Sequence, residues 1–288
     1  KILRINRAYL AFLNLGSDDV TGQRCSSFLK GDMCRTEDCP FDRVIKNGEM
    51  VEAEVIKRDH RGNPFPMLLT ATPLRDTRGK VMGMIESFKD ISSLKESEHQ
   101  IRKILAGSIN AMAEVVEIRD PYTAGHQHRV AVIAEKIAQK MQLSGERVES
   151  IHISAMLHDV GKIYVPAEFL TKPGKLSKLE FEVIKSHAEK GHDILKSIPF
   201  QYPVAQIVLQ HHERIDGSGY PHGLKRNSIL LEARIIGVAD VVEAISAHRP
   251  YRPALGLDAA LNEIKRYRKI RYDGDIVDAC LAISKEII

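Results

Sequence analysis

Residues 209–224 read LQHHERIDGSGYPHGL, and they close an apolar run, PVAQIVLQ, on two histidines and a glutamate before a Gly-Ser-Gly-Tyr-Pro turn. Val204, Ile207 and Val208 repeat at helical spacing, and His211 continues the same face with His212 beside it. A buried stripe that ends in imidazoles predicts a helix that delivers polar ligands into an interior. Working outward, residues from about 105 to 288 show helical periodicity broken at Asp120–Pro121 and near Pro199, Pro221 and Pro250. Ser177-Lys-Leu-Glu180 has the form of a capping box. No two-residue alternation appears there, so this half is expected to be all-α.

Twelve histidines are present, ten of them between His126 and His248. In GHQHRVAVIAEKIAQKM, His126 lies on the Val130–Ile133–Ala134–Ile137–Met141 face, whereas His128 falls on the polar side. His158 shares a face with Ile151 and Ala155, with Asp159 adjacent; His187 shares one with Ile184, Gly191 and Ile194. Asp240 sits inside the apolar run RIIGVADVVEAI, where an unpaired carboxylate is costly to bury. Each alone reads as a hydrogen-bonded core residue. Together, inward imidazoles and carboxylates on separate helices call for a counter-charge, which a metal ion supplies. A nitrogen and oxygen donor set without cysteine points to iron, manganese or another divalent ion in an open site.

The remaining composition bounds the class. The chain has 288 residues, 43% hydrophobic and 28% charged, with a net charge of +4 and scattered rather than blocked lysines and arginines. That is globular and argues against a nucleic-acid polymer as partner. Cys25, Cys34, Cys39 and Cys280 do not form a disulfide framework, and no apolar run is long enough to span a bilayer, so a cytoplasmic setting is expected for this piece. The first three cysteines read either as ordinary loop residues or as a redox or metal site. The chain opens in the middle of an apolar pattern, so further sensor or membrane segments are expected before Lys1 in the full-length protein.

Residues 1–92 read as α+β. KILRIN has the look of a short strand, and RAYLAFLNLG of a helix closed by Gly16. MVEAEVIKRD, FPMLLTATPLRD and KVMGMIESFKDI, separated by turn signals at 60–63 and 77–80, spell an antiparallel meander. Together with GMIESFKDIS at the exit, this resembles a PAS sensor domain that lacks its first strand. Ile91, Leu94, Ile101 and Leu105 make a heptad-like seam interrupted by Glu98, which reads either as a dimeric signalling coiled coil over 93–106 or as a solvated connector.

Residues 105–288, with HDVGK (158–162), HHERIDGSGYP (211–221), RDPYTAGHQHRV, ADVVEAIS and HRPYR, resemble an HD-GYP domain, a branch of the HD metal-dependent phosphohydrolases. The resemblance starts the catalytic unit at about 107. It implies metal ligands at His126, His158, Asp159, His187, His211, His212 and Asp240, with Asp159 bridging two ions. It implies that Lys162 stands near the attacking water or a phosphate oxygen. It further implies that Tyr220 and Gly219 meet substrate, and that Arg249 and Arg252 pair with its phosphates. Asp120, Glu213 and Glu243 are expected to support the ligands, Glu213 by orienting a histidine. Tyr122 stands where some members carry a glutamate for a third ion, so two iron or manganese ions are expected. Glu243 and His248 replace family aspartates. The implied activity is hydrolysis of cyclic di-GMP to pGpG or GMP, with GGDEF-type or other signalling proteins as partners. The rival readings are a non-cleaving cyclic-dinucleotide or protein adaptor and an HD hydrolase of another nucleotide. The intact ligand set favours an enzyme.

Overall fold

The structure, a computed structural model, describes residues 1–28, 31, 33–34, 36–58, 61, 63–120, 124–172, 174–247 and 254–286. Tyr122, His248, Arg249 and Arg252 lie outside the described residues, as do the turn residues His60 and Gly62 and the breaks at Pro121 and Pro250. Two compact units divide the chain, Lys1–Ile104 and Leu105–Ile288.

In the first unit, helix α1 (Arg7–Leu13) precedes single helical turns and then three strands, β1 (Val51–Arg58), β2 (Pro64–Arg75) and β3 (Val81–Asp90). They pair antiparallel in the order β1-β2-β3, with Val55 opposite Met67 and Ala71 opposite Glu86. The strand residues alternate between the two faces, and Val51, Leu69 and Ala71 pack with Val44 in a small core. Asp76 fixes the β2–β3 turn by accepting from the Arg78 and Lys80 N–H groups, both at 2.9 Å. Two expectations are corrected. KILRIN is not a strand: it joins no sheet, Ile2 exchanging backbone hydrogen bonds with Gln23 and Gly22 and Asn6 capping α1. Asn14, not Gly16, closes α1, in the left-handed conformation at φ 54°. Gly16 instead opens the next turn.

Helix α2 (Ser92–Arg119) is continuous, without a break at residue 107. The second unit is helical, with no strand beyond isolated bridges among the described residues. Its longer helices are α3 (His126–Lys140), α4 (Gly145–Leu157), α5 (Lys178–Lys185), α6 (His187–Leu195), α7 (Val204–Gln210), α8 (Leu231–Ser246), α9 (Leu257–Arg266) and α10 (Gly274–Ala282). The capping box at the start of α5 forms: the Glu180 N–H donates to Ser177 Oγ, and the Ser177 N–H donates to Glu180 Oε2 at 2.7 Å. Val130, Ile133, Ala134 and Ile137 of α3 pack with Ile151 and Ala155 of α4 and with Ile235, Ile236 and Ala239 of α8. This core is the support on which the polar cluster stands.

Two close approaches set the position of that cluster. After α4 the chain passes through His158 and Asp159 into a 3₁₀ turn, Val160–Tyr164. A Cβ at Gly161 would lie 1.9 Å from the His187 carbonyl oxygen and 2.5 Å from the Gly191 nitrogen. Only glycine lets these two backbones touch, and their contact brings His158–Asp159 to His187. Likewise a Cβ at Gly219 would lie 2.4 Å from both the His212 oxygen and the Arg214 nitrogen. The turn therefore folds back tightly on the histidine pair.

Candidate metal centre

Seven of the predicted residues converge. His126 opens α3, His158 and Asp159 follow α4, His187 opens α6, His211 and His212 follow α7, and Asp240 lies mid-way along α8. Their donor atoms form two groups, His126–His158–Asp159 and His187–His211–His212, each within 4.8 Å internally. Asp159 reaches both: its Oδ2 is 3.3 Å from His158 Nε2 and 3.8 Å from His126 Nε2, while its Oδ1 is 3.5 Å from His187 Nε2. Asp240 does the same from the opposite helix, with Oδ1 3.4 Å from His126 Nε2 and Oδ2 3.9 Å from His212 Nδ1. The bridging position of Asp240 is not visible in the sequence.

Orientation comes from the main chain in three cases. The Nδ1 atoms of His158, His187 and His211 lie 2.6, 2.7 and 2.5 Å from the carbonyl oxygens of Ala155, Ile184 and Val208, each three residues earlier. With the proton on Nδ1, the Nε2 lone pair of each ring is turned to the centre. His158 Nε2 is buried and has no hydrogen-bond partner among the described residues, and a metal ion would satisfy it. The donor set of imidazole and carboxylate, all turned inward, fits divalent ions of the iron, manganese or zinc type.

Burial, followed by neighbouring imidazoles, pushes His211 down to about 3 and His212 well below the ordinary histidine value; His187 is also lowered by burial. His126 goes the other way. Burial opposes its protonation, but Asp240 and Glu243 outweigh that and raise it to about 9. Asp159 and Asp240 stay well below the usual carboxylate range, despite burial, because of Lys162 and the imidazoles. In the ion-free chain these shifts oppose each other. Below the ordinary value near 6.5, unfolding lets three neutral imidazoles take protons and costs only His126 its own preference. From pH 6.5 to 5, stability is therefore expected to fall. From pH 6.5 to about 9 the His126 contribution is lost instead. Thermal melts of chelator-treated protein check this: the melting temperature should peak near pH 7, where the two states bind equal numbers of protons, and a flat profile from 5 to 7 contradicts it.

The supporting residues divide. Lys162 Nζ lies 2.7 Å from Asp159 Oδ2 and 3.6 Å from Asp120 Oδ2, so Asp120 braces the lysine rather than a histidine. Glu243 accepts from His126 Nδ1. Glu213 does not orient an imidazole: its two oxygens accept from the backbone N–H groups of His222 (2.8 Å) and Leu224 (2.9 Å), which anchors the Gly-Tyr-Pro loop. That loop sets the Tyr220 ring 4.6 Å from the His212 ring and 6.4 Å from that of His187. Gly219 makes the backbone approach already described. The residue that sequence reading passed over is Arg129, which ion-pairs with Glu243 at 2.7 Å. In the first unit, Cys25, Cys34 and Cys39 line one cavity with Lys57 and Glu86 and form no disulfide; among the described residues they belong to no group of three close donor atoms.

A model of the HD domain matches residues 110–276, more than half of the chain and all seven converging residues. The chain belongs to the HD domain family. A PAS domain model matches residues 1–93, the stretch that carries the three-stranded sheet. The chain is similar to the cyclic di-GMP phosphodiesterase response regulator RpfG of Xanthomonas campestris, 37% identical over 220 residues, covering 72% of this chain and 58% of that protein. A cyclic di-GMP phosphodiesterase of Thermotoga maritima is 41% identical over 173 residues (59% and 47% covered). The 3'3'-cGAMP-specific phosphodiesterase 3 of Vibrio cholerae is 42% identical over 154 residues (53% and 33%). The chain thus spans only a third to three-fifths of the length of these relatives. No helix among the described residues is long and apolar enough to cross a membrane.

Proposed function

We propose that this chain is a two-metal phosphodiesterase that hydrolyses cyclic di-GMP, under control of its PAS unit. The observation that carries the reading is the pair of carboxylates, Asp159 and Asp240, each offering one oxygen to either side of a cluster of five imidazoles. When bound there, two divalent ions, iron or manganese, would act as Lewis acids, activating water and neutralising charge on the phosphodiester. The chain's own residues do the rest. The main-chain carbonyls hold the imidazoles in one tautomer. Lys162 is buried beside Asp159 and stays charged: Asp159, Asp120 and Asp240 overcome the effect of burial. It is therefore placed to meet a phosphate oxygen or the attacking water. Tyr220, braced by the loop that Glu213 anchors, forms the lip over which a nucleotide enters, and Arg249 and Arg252 supply bidentate contacts to its phosphates.

The relatives named for cyclic di-GMP and for 3'3'-cGAMP favour a cyclic dinucleotide, and RpfG and the Thermotoga maritima protein favour cyclic di-GMP. Exposed Leu94, Ile101 and Ile104 along α2, at 54, 66 and 67% accessibility, support self-association of this helix in a dimer. The deciding experiment is anaerobic purification with metal analysis, followed by hydrolysis assays on cyclic di-GMP and 3'3'-cGAMP that separate pGpG from GMP. About two ions per chain and a preference for cyclic di-GMP are expected. Protein that binds no metal and turns over neither dinucleotide overturns the proposal.

A further inference from the structure

The Nδ1 atoms of His158, His187 and His211 each face a carbonyl of their own helix or turn, whereas that of His126 faces a carboxylate. His126 is the first residue of α3, and Gly125 before it turns through φ 69°. Its Nδ1 instead meets Glu243, three residues beyond Asp240 on α8, so one helix face brings both a ligand and the brace for another ligand. Glu243 is only 2% exposed. A carboxylate that deeply buried keeps its charge and its orientation only when it is paired. Arg129, one turn after His126 on α3, pairs with it: its Nε lies 2.8 Å and its Nη2 2.7 Å from Glu243 Oε1. The remaining Nη1 donates to the Ala124 carbonyl at 2.9 Å, which also ties down the backbone just before His126. The polar contacts of the Arg129 side chain are with Glu243 and the Ala124 carbonyl, not with a ligand. Arg129 acts through Glu243 on a single imidazole, and that imidazole belongs to one of the two donor groups only.

We infer that Arg129 is the positioning residue of the His126–His158–Asp159 position, and that through it the two ion positions are held by different means. One position depends on a side-chain relay, Arg129 to Glu243 to His126. The other, His187–His211–His212, is oriented largely by main-chain carbonyls and does not depend on that relay. The inference rests on the two-metal reading of the site. Supporting groups of this kind govern ion affinity by about 10–100-fold.

The test is equilibrium dialysis of the whole, chelator-stripped chain against Mn(II), reading ions bound per chain and the two affinities. Arg129→Met should leave one ion bound as tightly as in the parent chain and weaken the other by about 10–100-fold. Arg129→Lys, which keeps the charge but not the two-point contact, should weaken the same ion by less; it also serves if the methionine variant does not fold. Arg147→Met is the control, since Arg147 makes a comparable contact with Glu232 (2.9 Å from Nε) without contact to a predicted ligand; both ions should stay. Two ions held by Arg129→Met as tightly as by the parent chain overturn the inference alone, and so does equal weakening of both. A parent chain that takes up fewer than two Mn(II) ions removes the two-metal reading and the inference with it.

Discussion

Asp159→Asn is expected to lower turnover of cyclic di-GMP by at least about 10³-fold and to reduce bound metal below two ions per chain. Asparagine keeps the shape of the side chain but replaces one oxygen with an amide nitrogen and removes the charge. Asp159 Oδ2 faces His126, His158 and Lys162, and Oδ1 faces His187, so neither orientation of the amide leaves both sides a carboxylate oxygen. Lys162 suffers too. It is left buried with Asp120 at 3.6 Å as its nearest remaining carboxylate in the ion pairs. Removing one member of a buried pair costs about 3–5 kcal/mol. Asp240→Asn should reduce metal content similarly while leaving the Lys162–Asp159 pair intact, so its melting temperature should fall less. Metal analysis, a hydrolysis assay and thermal melts of the two variants side by side decide the matter. An Asp159→Asn chain that holds two ions and turns over within tenfold of the parent contradicts the bridging role.

The second large effect is steric. Gly161→Ala is expected to destabilise the HD domain by at least about 4 kcal/mol, because the added methyl meets backbone rather than a yielding side chain. Its nearest neighbours would be the His187 oxygen at 1.9 Å, the Gly191 nitrogen at 2.5 Å and the His187 carbon at 2.8 Å. Relieving them means moving the 3₁₀ turn away from α6, which separates Asp159 from His187. Gly107→Ala provides the contrast. Nothing lies within 4 Å of a Cβ there, and the residue is inside α2, so the change should be neutral or stabilising by about 0.5–1 kcal/mol. Denaturant titrations of the two variants compare them directly; equal stabilities refute the account of Gly161.

Much of the site was legible because its ligands sit on helices. A stripe such as Val204–Ile207–Val208 fixes which face is inward, and the imidazole that continues it must share that face. The same logic marks His126, His158, His187 and Asp240, and two-residue alternation marks the three strands to within a residue or two. What could not be read depends on partners distant in sequence. KILRIN alternates like a strand, but a strand exists only against a neighbouring edge, and this stretch joins no sheet. Glu213 stands beside the histidine pair, yet the loop returns the N–H groups of His222 and Leu224 to it. Arg129 lies at the solvent side of α3, with half its side chain exposed. Its purpose depends on Glu243, 114 residues away. The only sequence signal is its place one turn after His126.

Three of the imidazoles are steered by peptide carbonyls, and a peptide carbonyl cannot be mutated. Every amino acid at Ala155, Ile184 or Val208 carries the same oxygen, so substitution there is constrained by packing and not by the chemistry of the centre. The mutational tolerance of the site is therefore uneven. A saturation scan should find the carbonyl-bearing positions permissive to any residue that fits and keeps the helix, while substitutions at Glu243 and Arg129 should lower metal content whether or not they fit. Among the groups that orient the imidazoles, the brace on His126 is thus the one a point mutation can remove.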